Sequence, residues 1–266
     1  MSRIELLSAG GYRMDGRKAL ELRSMELQIS PHTAVGTSLM PATASAVSRP
    51  DGSAQVTQGL TSPGRIARAP TVRQDRAALN VDISVAPWGG TERRHRARGD
   101  RRLVEWGNAV RSTFEPVVHT HLYPRAQIDI VVHVLQQDGG VLPAMINACT
   151  LALMDAGIPM ADYVTALTCG LYGSTPLLDL NLTEQSDLPF ITMAVLPRSG
   201  KVPLLQMDTR IHMDRFSAMV QVSVEAASVV RDELDVAMRG RTSHLVTALH
   251  GRQGLEGGVD DVVIED

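Results

Sequence analysis

An arginine-rich run is the stretch of this sequence whose residue types and spacing point most directly to chemistry. From Arg93 to Arg102 the chain reads Arg-Arg-His-Arg-Ala-Arg-Gly-Asp-Arg-Arg, and a helical pattern follows. Arg101 and Arg102 fall in the first helical turn, where an exposed, unpaired cation opposes the helix dipole at a cost of about 0.3–1 kcal/mol. Free N–H groups of a helix N-terminus beside two arginines would make a phosphate cradle. The alternative is an ordinary surface ion network with Asp100, Glu105 or another acidic neighbour.

The histidines and cysteines predict neither a metal site nor a disulfide framework. His119, His121 and His133 lie close in sequence, but no cysteine or carboxylate accompanies them at ligand spacing. Cys149 and Cys169 are the only cysteines, and both lie in apolar stretches. Motifs for ATP, nicotinamide or haem are also absent from the sequence. We therefore expect no metal and no cofactor.

The composition is that of an ordinary soluble chain and names no partner. The 266 residues have a formal net charge of -3, a hydrophobic fraction of 44% and a charged fraction of 21%, so a case for nucleic-acid binding has to be local. Lys18 and Lys201 are the only lysines, for which codon bias in a GC-rich genome is the simplest explanation. The N-terminus carries charges where a signal peptide needs an apolar run, and no stretch reaches the ~18–20 apolar residues of a membrane span. We expect an intracellular chain that is not embedded in a membrane.

The elements that would position these side chains are best defined in the second half of the chain. Apolar and polar residues alternate from Gln127 to Leu135, which is typical of a half-buried strand. The apolar segment after the Asp138-Gly139-Gly140 turn predicts a buried helix from Pro143 to Gly157, with proline in its first turn and glycine as a left-handed cap.

The remaining elements complete an α+β pattern with mixed strands. Arg102–Val117 is predicted as a helix with Asp100 as its N-cap. A long closing helix is predicted at Asp214–Arg239 from the spacing of its apolar residues. Further strands are predicted at Val164–Leu171, Leu177–Leu182, Phe190–Leu196 and Val202–Met207.

Several collinear stretches of the chain resemble the RNase PH family. They are Gly11–Arg17, Gly99–Arg102, His121–Ile130, Val134–Gly140, Ile146–Ala148 and Met154–Met160. The likeness runs from about Ile4 to Arg239, and several motifs in order are far more specific than any one of them. Within the family, the chain most resembles the eukaryotic exosome subunit whose archaeal counterpart bears the phosphorolytic active site.

The resemblance implies an α+β, RNase PH-like fold with the βαβα topology of ribosomal protein S5 domain 2, in a single domain over residues 1–240. Residues 241–266 would form a C-terminal extension, acidic and flexible at its end. The implied partners are other RNase PH-type exosome subunits in a six-domain ring, S1- and KH-type cap subunits, an associated hydrolytic exoribonuclease and single-stranded RNA. The implied location is the nucleus, including the nucleolus, and the cytoplasm, with RNA degradation and processing, including that of rRNA, as the role.

One region, residues 32–84, diverges from the family pattern. Asp51–Ala54 and Gln58–Thr61 fit the paired strands that the family has there, whereas 36–50 looks like an inserted loop. After it, the family's Val-rich strand is replaced by Ser62–Pro70, whose prolines and glycine oppose a central strand. Either this edge is genuinely remodelled, or 36–70 contains a mistranslated stretch at an exon boundary.

The positions that catalyse phosphorolysis in active relatives are altered here. The reaction needs bound phosphate as nucleophile, cations to hold it and an acid for the leaving oxygen. By the resemblance, the Ser-Arg phosphate clamp is replaced by Val141 and Leu142, and the catalytic aspartate by Gln185. Asp187 matches a second acidic position and Asp179 lies on the preceding strand, so this pair is either a residual cation site or a set of ordinary structural carboxylates. We expect no catalytic residue.

Three functions remain open from the sequence. The favoured one is a non-catalytic ring subunit that guides single-stranded RNA, with Arg101 and Arg102 at the channel and help from Arg98 and Arg68. The second is an active phosphate-dependent 3′-to-5′ exoribonuclease, which the altered clamp and acid positions oppose. The third is a free-standing RNA-binding protein of similar fold, which a monomeric state in solution would favour.

Overall fold

The computed structural model describes residues 6–8, 10–29, 42–48, 52–60, 75–90, 93, 100–124 and 126–256. Their strands form one sheet of five strands and one of four. None of the described helices is long and apolar enough to cross a membrane.

The five-stranded sheet is mixed. Its strands, numbered along the chain, are β1 (Met25–Ile29), β2 (Ala42–Ser48), β3 (Gly52–Leu60), β4 (Ala78–Val85) and β5 (Gln127–Val134). They lie in the order β1-β2-β3-β5-β4, with β4 and β5 parallel and the other neighbours antiparallel. Parallel neighbours need a crossover, which contains helix α1 (Arg101–Phe114). The carboxyl ends of β4 and β5 therefore meet at the same edge of the sheet.

The four-stranded sheet is antiparallel throughout. Its strands are β6 (Thr165–Tyr172), β7 (Thr175–Leu178), β8 (Phe190–Leu196) and β9 (Lys201–Met207). They lie in the order β7-β6-β8-β9. The predictions for β6, β8 and β9 are confirmed to within a residue at each end.

Helix α2 (Val141–Asp155) is the centre of the core and packs against strands of both sheets. All its residues from Met145 to Leu153 are buried, which confirms the predicted buried helix. Asn147 ties it to β6, because its Nδ2 donates to the Ala166 carbonyl at 2.9 Å and its Oδ1 accepts the Ala166 N–H at 2.8 Å. A buried amide with both partners fixes the register between helix and sheet.

The predicted strand at Leu177–Leu182 is wrong beyond Leu178. Asp179 has a left-handed backbone, φ 53°, which ends β7. Leu182–Asp187 then form the short helix α3, capped by Asn181, whose N–H donates to Glu184 Oε2 at 3.0 Å. The reciprocal capping box favours a helix start where the apolar pattern suggested a strand.

The closing helix α4 runs from Met213 to Glu256, well past its predicted end at Arg239. Gly240 is not followed by proline, and Arg241 beyond it pairs with Asp155 of α2 at 3.4 Å, so the helix has a reason to continue. Residues 241–256 of the predicted extension are therefore helical. Residues 257–266, on which the prediction of a flexible acidic end falls, lie outside the described residues.

The divergent region contains a β-hairpin. Ala42–Ser48 pair with β1 on one side and β3 on the other, so interpreting 36–50 as an inserted loop is wrong for these residues. Pairing on both sides satisfies the backbone N–H and C=O groups of this segment, so it forms a strand although its sequence matches the family pattern only weakly. Gly52–Ala54 begin β3, as the family motif predicted. Ser62–Pro70 lies outside the described residues.

Candidate functional site

The N-terminus of α2 is where the resemblance places the phosphate clamp. The chain enters the helix through Asp138, Gly139 and Gly140, and the two glycines are left-handed with φ of 74° and 59°. Val141 and Leu142 follow, and both side chains pack against the hydrophobic core, with Leu142 only 7% exposed. Neither side chain has a polar atom to offer a phosphate.

Gln185 of α3 contacts the same helix end. Its Oε1 accepts a hydrogen bond from the Gly140 N–H at 3.2 Å. The N–H groups at a helix N-terminus lack intrahelical partners and favour an anion, but here a neutral amide oxygen accepts one of them. A carboxamide has no proton to release at physiological pH, so Gln185 cannot serve as a general acid.

Asp179, directly after β7, binds a buried arginine. Its Oδ2 accepts from the backbone N–H and the Nε of Arg23 at 3.0 and 2.9 Å, and its Oδ1 accepts from Nη2 at 2.6 Å. The Arg23 side chain is 3% exposed and that of Asp179 is 20% exposed. Burial alone would raise the pKa of the Asp179 carboxyl, but the hydrogen bonds and charge of Arg23 outweigh it and hold that pKa below its usual range. Asp179 is therefore an ionised acceptor and not an acid.

Arg23 also holds the turn that precedes α2. Its Nη1 donates to the Asp138 carbonyl at 2.8 Å, and its Nη2 donates to the Gly139 carbonyl at 3.4 Å. A Cβ at Gly140 would lie 2.8 Å from that Nη2, so the glycine makes room for the guanidinium. One buried ion pair thus joins the entry to β1, the turn before α2 and the end of β7.

The Gly11–Arg17 motif brings two more arginines to the end of β7. Arg13 donates through Nη2 to the Leu178 carbonyl at 2.5 Å and through Nη1 to the Asp179 carbonyl at 3.2 Å. Arg17 Nη1 donates to the Asp179 carbonyl at 3.1 Å. We call Arg13, Arg17, Arg23 and Asp179 the arginine corner. Its guanidinium groups are engaged with protein acceptors, so the corner holds the β7–α3 turn in place.

Sequence reasoning missed the arginine corner. Gly11–Arg17 served only as a family motif, and Arg23 was not singled out. The contacting residues are 156 to 166 positions apart in sequence, so no local spacing reveals the contact. One signal was available: Asp179 stands among leucines in Leu177-Leu178-Asp179-Leu180, and a carboxylate in an apolar strand indicates a buried cationic partner.

Asp179, one half of the cation site considered for Asp179 and Asp187, is already paired with an arginine. The Asp179 carboxylate forms an ion pair with Arg23. Asp187 is exposed at the end of α3, where its Oδ1 accepts a hydrogen bond from Ser186 Oγ at 3.4 Å. Among the residues that the structure describes, no group of three or more His, Cys, Asp or Glu side chains is placed to hold a metal ion. For Asp179, the alternative of a structural carboxylate is the one that the structure supports.

Arg101 and Arg102 begin α1, and Asp100 is its N-cap as predicted, because its Oδ1 accepts the Arg102 N–H at 3.1 Å. Arg101 Nε donates to Glu105 Oε1 at 3.0 Å, and the arginine side chain is 92% exposed. The Arg102 guanidinium lies over the Trp106 ring, 4.6 Å from its centroid. The surface ion pair that sequence analysis kept as an alternative is thus present at Arg101. An exposed pair of this kind contributes about 0–1 kcal/mol, too little to withhold the arginine from a phosphate.

The two other arginines predicted to bind RNA, Arg98 and Arg68, lie outside the described residues. Arg93, at the start of the same run, is described and exposed. The assignment of these side chains to RNA therefore stays a prediction.

The two halves of this fold each match a family model. The 3′ exoribonuclease family, domain 1 (RNase PH), matches residues 40–159, and domain 2 of the same family matches residues 162–226. The border between the matches falls between α2 and β6, where the chain passes from the first sheet to the second. The chain belongs to the RNase PH, or 3′ exoribonuclease, family, and the predicted α+β fold is confirmed.

Within the family, the chain is similar to exosome subunits. It is 40% identical to the mouse exosome complex component RRP41 over 248 residues, which cover 90% of this chain and 95% of the relative. It is 34% identical to the exosome complex component SKI6 of Saccharomyces cerevisiae over 255 residues, which cover 95% of this chain and all of that protein. These identities over nearly full length confirm the resemblance stated from the motifs.

Two solved structures share the fold. Rice Rrp46 superposes with a TM-score of 0.72 at 19% identity, covering 85% of this chain and 100% of that chain. An Archaeoglobus fulgidus exosome with RNA bound to its active site gives 0.69 at 18% identity, covering 84% and 93%. At such identities the likeness concerns the fold alone.

Proposed function

We propose that this chain is a non-catalytic core ring subunit of an RNA exosome, supporting 3′-to-5′ RNA processing and degradation. The near full-length similarity to exosome complex components supports the assembly. The observation that carries the lack of catalysis is the N-terminus of α2, where Gln185 accepts the Gly140 N–H and the two adjoining side chains are apolar.

The chemistry explains why this arrangement opposes catalysis. Phosphorolysis places two anionic groups side by side, an inorganic phosphate and the scissile phosphate, and both need positive charge and an acid in position. Val141 and Leu142 offer no charge, and Gln185 offers no proton. Arg23, the guanidinium that contacts the turn before α2, is already neutralised by Asp179.

The proposed partners rest on the family resemblance, together with the similarity to exosome complex components. We infer a six-domain ring of RNase PH-type subunits, S1- and KH-type cap subunits and an associated hydrolytic exoribonuclease that cuts the RNA. The proposed location is the nucleus, including the nucleolus, and the cytoplasm. Copurification of the tagged full chain with RNase PH-type subunits is expected, and its recovery as a lone monomer would favour a free-standing RNA-binding protein instead.

The test of inactivity is a phosphorolysis assay. The full chain, alone and in the ring with inactivated hydrolytic subunits, is incubated with single-stranded RNA in phosphate buffer, and nucleoside diphosphate release is followed. We expect no release. Phosphate-dependent release that disappears in an Asp187→Asn variant would instead establish the active exoribonuclease.

The RNA-guiding role rests on Arg101 and Arg102, with Arg98 and Arg68 as further predicted contacts. Each phosphate neutralised on a single strand contributes ~0.7 to the slope of log affinity against log salt. The double change of Arg101 and Arg102 to alanine should therefore lower that slope by up to about 1.4, weaken binding equally for all sequences and leave the ring intact. Glutamate at both positions should weaken it further.

A matched control is available on α4. The Arg231 side chain is 40% exposed and pairs with a neighbouring carboxylate, Asp232, at 2.6 Å, so Arg231→Ala removes one positive charge from a different surface and is the control for the single change Arg101→Ala. Its effect on threading of a 3′-tailed RNA through the ring should be small. Equal effects of the two changes, or none from the α1 pair, would remove the basis for assigning Arg101 and Arg102 to RNA.

A further inference from the structure

Trp88 is an exposed tryptophan that precedes the arginine-rich run in the sequence. Its side chain is 70% exposed, although tryptophan is normally among the most heavily buried side chains of a folded protein. The whole chain has only two tryptophans, and both flank the arginine-rich run, Trp88 before Arg93 and Trp106 after Arg102. Their placement brackets the strongest local positive charge of the sequence.

The turn that carries Trp88 is held firmly. The Gly89 N–H donates to the Ala86 carbonyl at 2.9 Å, and the Gln137 N–H donates to the Gly89 carbonyl at 2.8 Å. A Cβ at Gly89 would lie 2.9 Å from the Leu135 carbonyl oxygen, so the two backbones are in close contact. The indole is therefore presented to solvent by a fixed backbone.

Its position relates it to the candidate site. The turn follows β4, and its partner segment follows β5 and continues into the Asp138–Gly140 turn before α2. Because β4 and β5 are parallel, both turns leave the same edge of the sheet. On its other side, the chain continues within five residues to Arg93, which is exposed. The indole thus lies at the sheet edge that also carries the turn before α2, and Arg93 follows it in the chain.

We propose that Trp88 is a base-stacking platform for single-stranded RNA, with Arg93, Arg101 and Arg102 as the cations that neutralise the phosphates. This inference deepens the proposed function and rests on it. An exposed aromatic ring next to cations that follow the backbone is how sequence-tolerant single-strand sites are built, since every base has a stackable face. A protein partner is the alternative occupant, because tryptophan and arginine are also enriched at protein interfaces, and the ring-assembly measurement below tests it.

The test compares Trp88→Ala, Trp88→Phe and a control, Leu122→Ala, in the full chain assembled with its RNase PH-type partners. Leu122 is also apolar and 55% exposed. Affinity for short fluorescein-labelled oligouridylate and oligoadenylate is measured by anisotropy at several salt concentrations. Trp88→Ala should weaken binding roughly 5- to 100-fold without changing the salt slope, because stacking releases no counterions. Trp88→Phe should keep most of the affinity, and Leu122→Ala should keep all of it.

Ultraviolet cross-linking of bound uridine-containing RNA, followed by peptide mass spectrometry, gives a second measurement and should yield a cross-link at Trp88. Unchanged affinity in Trp88→Ala, while the Arg101 and Arg102 double variant loses affinity, would overturn the stacking role and leave the proposed function intact. Loss of ring assembly in Trp88→Ala would make Trp88 a subunit contact and also overturn it. Absence of RNA binding by the wild-type ring would overturn both proposals.

Discussion

The ion pair between Arg23 and Asp179 gives the sharpest test of how this fold is held together. The change is Asp179→Asn, which removes the carboxylate charge but keeps the shape of the side chain. Asparagine also tolerates the left-handed backbone of this position, φ 53°, so backbone strain does not confuse the result. Any loss of stability then reports the ion pair and its hydrogen bonds.

The expected magnitude follows from burial. Arg23 is 3% exposed, so the variant leaves a buried guanidinium without its counter-ion. Removing one partner of a buried pair costs about 3–5 kcal/mol. Because the amide oxygen of asparagine still accepts one hydrogen bond, we expect a loss of stability at the lower end of this range, about 3 kcal/mol. A domain has a free energy of unfolding of about 5–15 kcal/mol, so this loss is a large fraction of the total.

The assay is urea unfolding of the full chain, followed by tryptophan fluorescence. With a urea dependence of about 3 kcal/mol per molar, the midpoint should fall by roughly 1 M. The matched control is Asp187→Asn, which removes an exposed carboxylate nearby in sequence and should change stability by less than about 0.5 kcal/mol. Equal midpoints for Asp179→Asn and wild type would refute the idea that the arginine corner stabilises the fold.

The pH dependence has a definite sign. The folded-state pKa of Asp179 is depressed below its ordinary value of 3.8, so the carboxylate contributes stability that is complete above that value. The contribution is lost as pH falls through the lower, folded-state pKa. The gap in stability between wild type and Asp179→Asn should therefore be constant near neutral pH and close below about pH 4.

Two further predictions concern the candidate site. Gly139→Ala should destabilise the fold by more than about 2 kcal/mol, because its Cβ would lie 2.4 Å from a backbone carbonyl oxygen. Gly157→Ala is the control, since Gly157 has a similar φ of 71° but open space around a Cβ, and it should cost only about 1 kcal/mol. Thermal unfolding of both variants measures the difference, and equal losses of stability would contradict the prediction. Glu105→Gln breaks the exposed pair with Arg101 and should change the free energy of unfolding by less than about 0.5 kcal/mol, while RNA affinity stays equal or rises; a clear loss of affinity would show that Glu105 positions the arginine.

The elements that local patterns specify were predictable. The alternation along Gln127–Val134, the apolar run of α2 and the Asp100 cap of α1 each depend on neighbours within a few residues, and all three are confirmed. The miss at Leu177–Leu182 has a local cause as well. Its apolar residues fit a strand, but the left-handed Asp179 and the Asn181–Glu184 capping box decide the structure there.

The residues of the candidate site could be named from the resemblance, but their geometry could not be predicted. The resemblance named Gln185, Val141 and Leu142 as replacements, yet the hydrogen bond from the Gly140 N–H to Gln185 joins residues 45 positions apart. No spacing rule reaches that far along the chain. The same limit hid the arginine corner, whose contacts join the N-terminal motif to the end of β7.

Arginine has two different uses in this nearly lysine-free chain, and only partner geometry separates them. Arg13 and Arg23 are buried and direct several N–H groups at backbone carbonyls, and they pair with the carboxylates of Glu184 and Asp179 respectively. A lysine at either position has a single ammonium group and cannot reproduce that planar fork. Arg101, by contrast, is almost fully exposed in a weak pair. The number of arginines is therefore no evidence for RNA binding. The candidates for phosphate contacts are the exposed arginines whose ion pairs within the protein are too weak to compete with a phosphate.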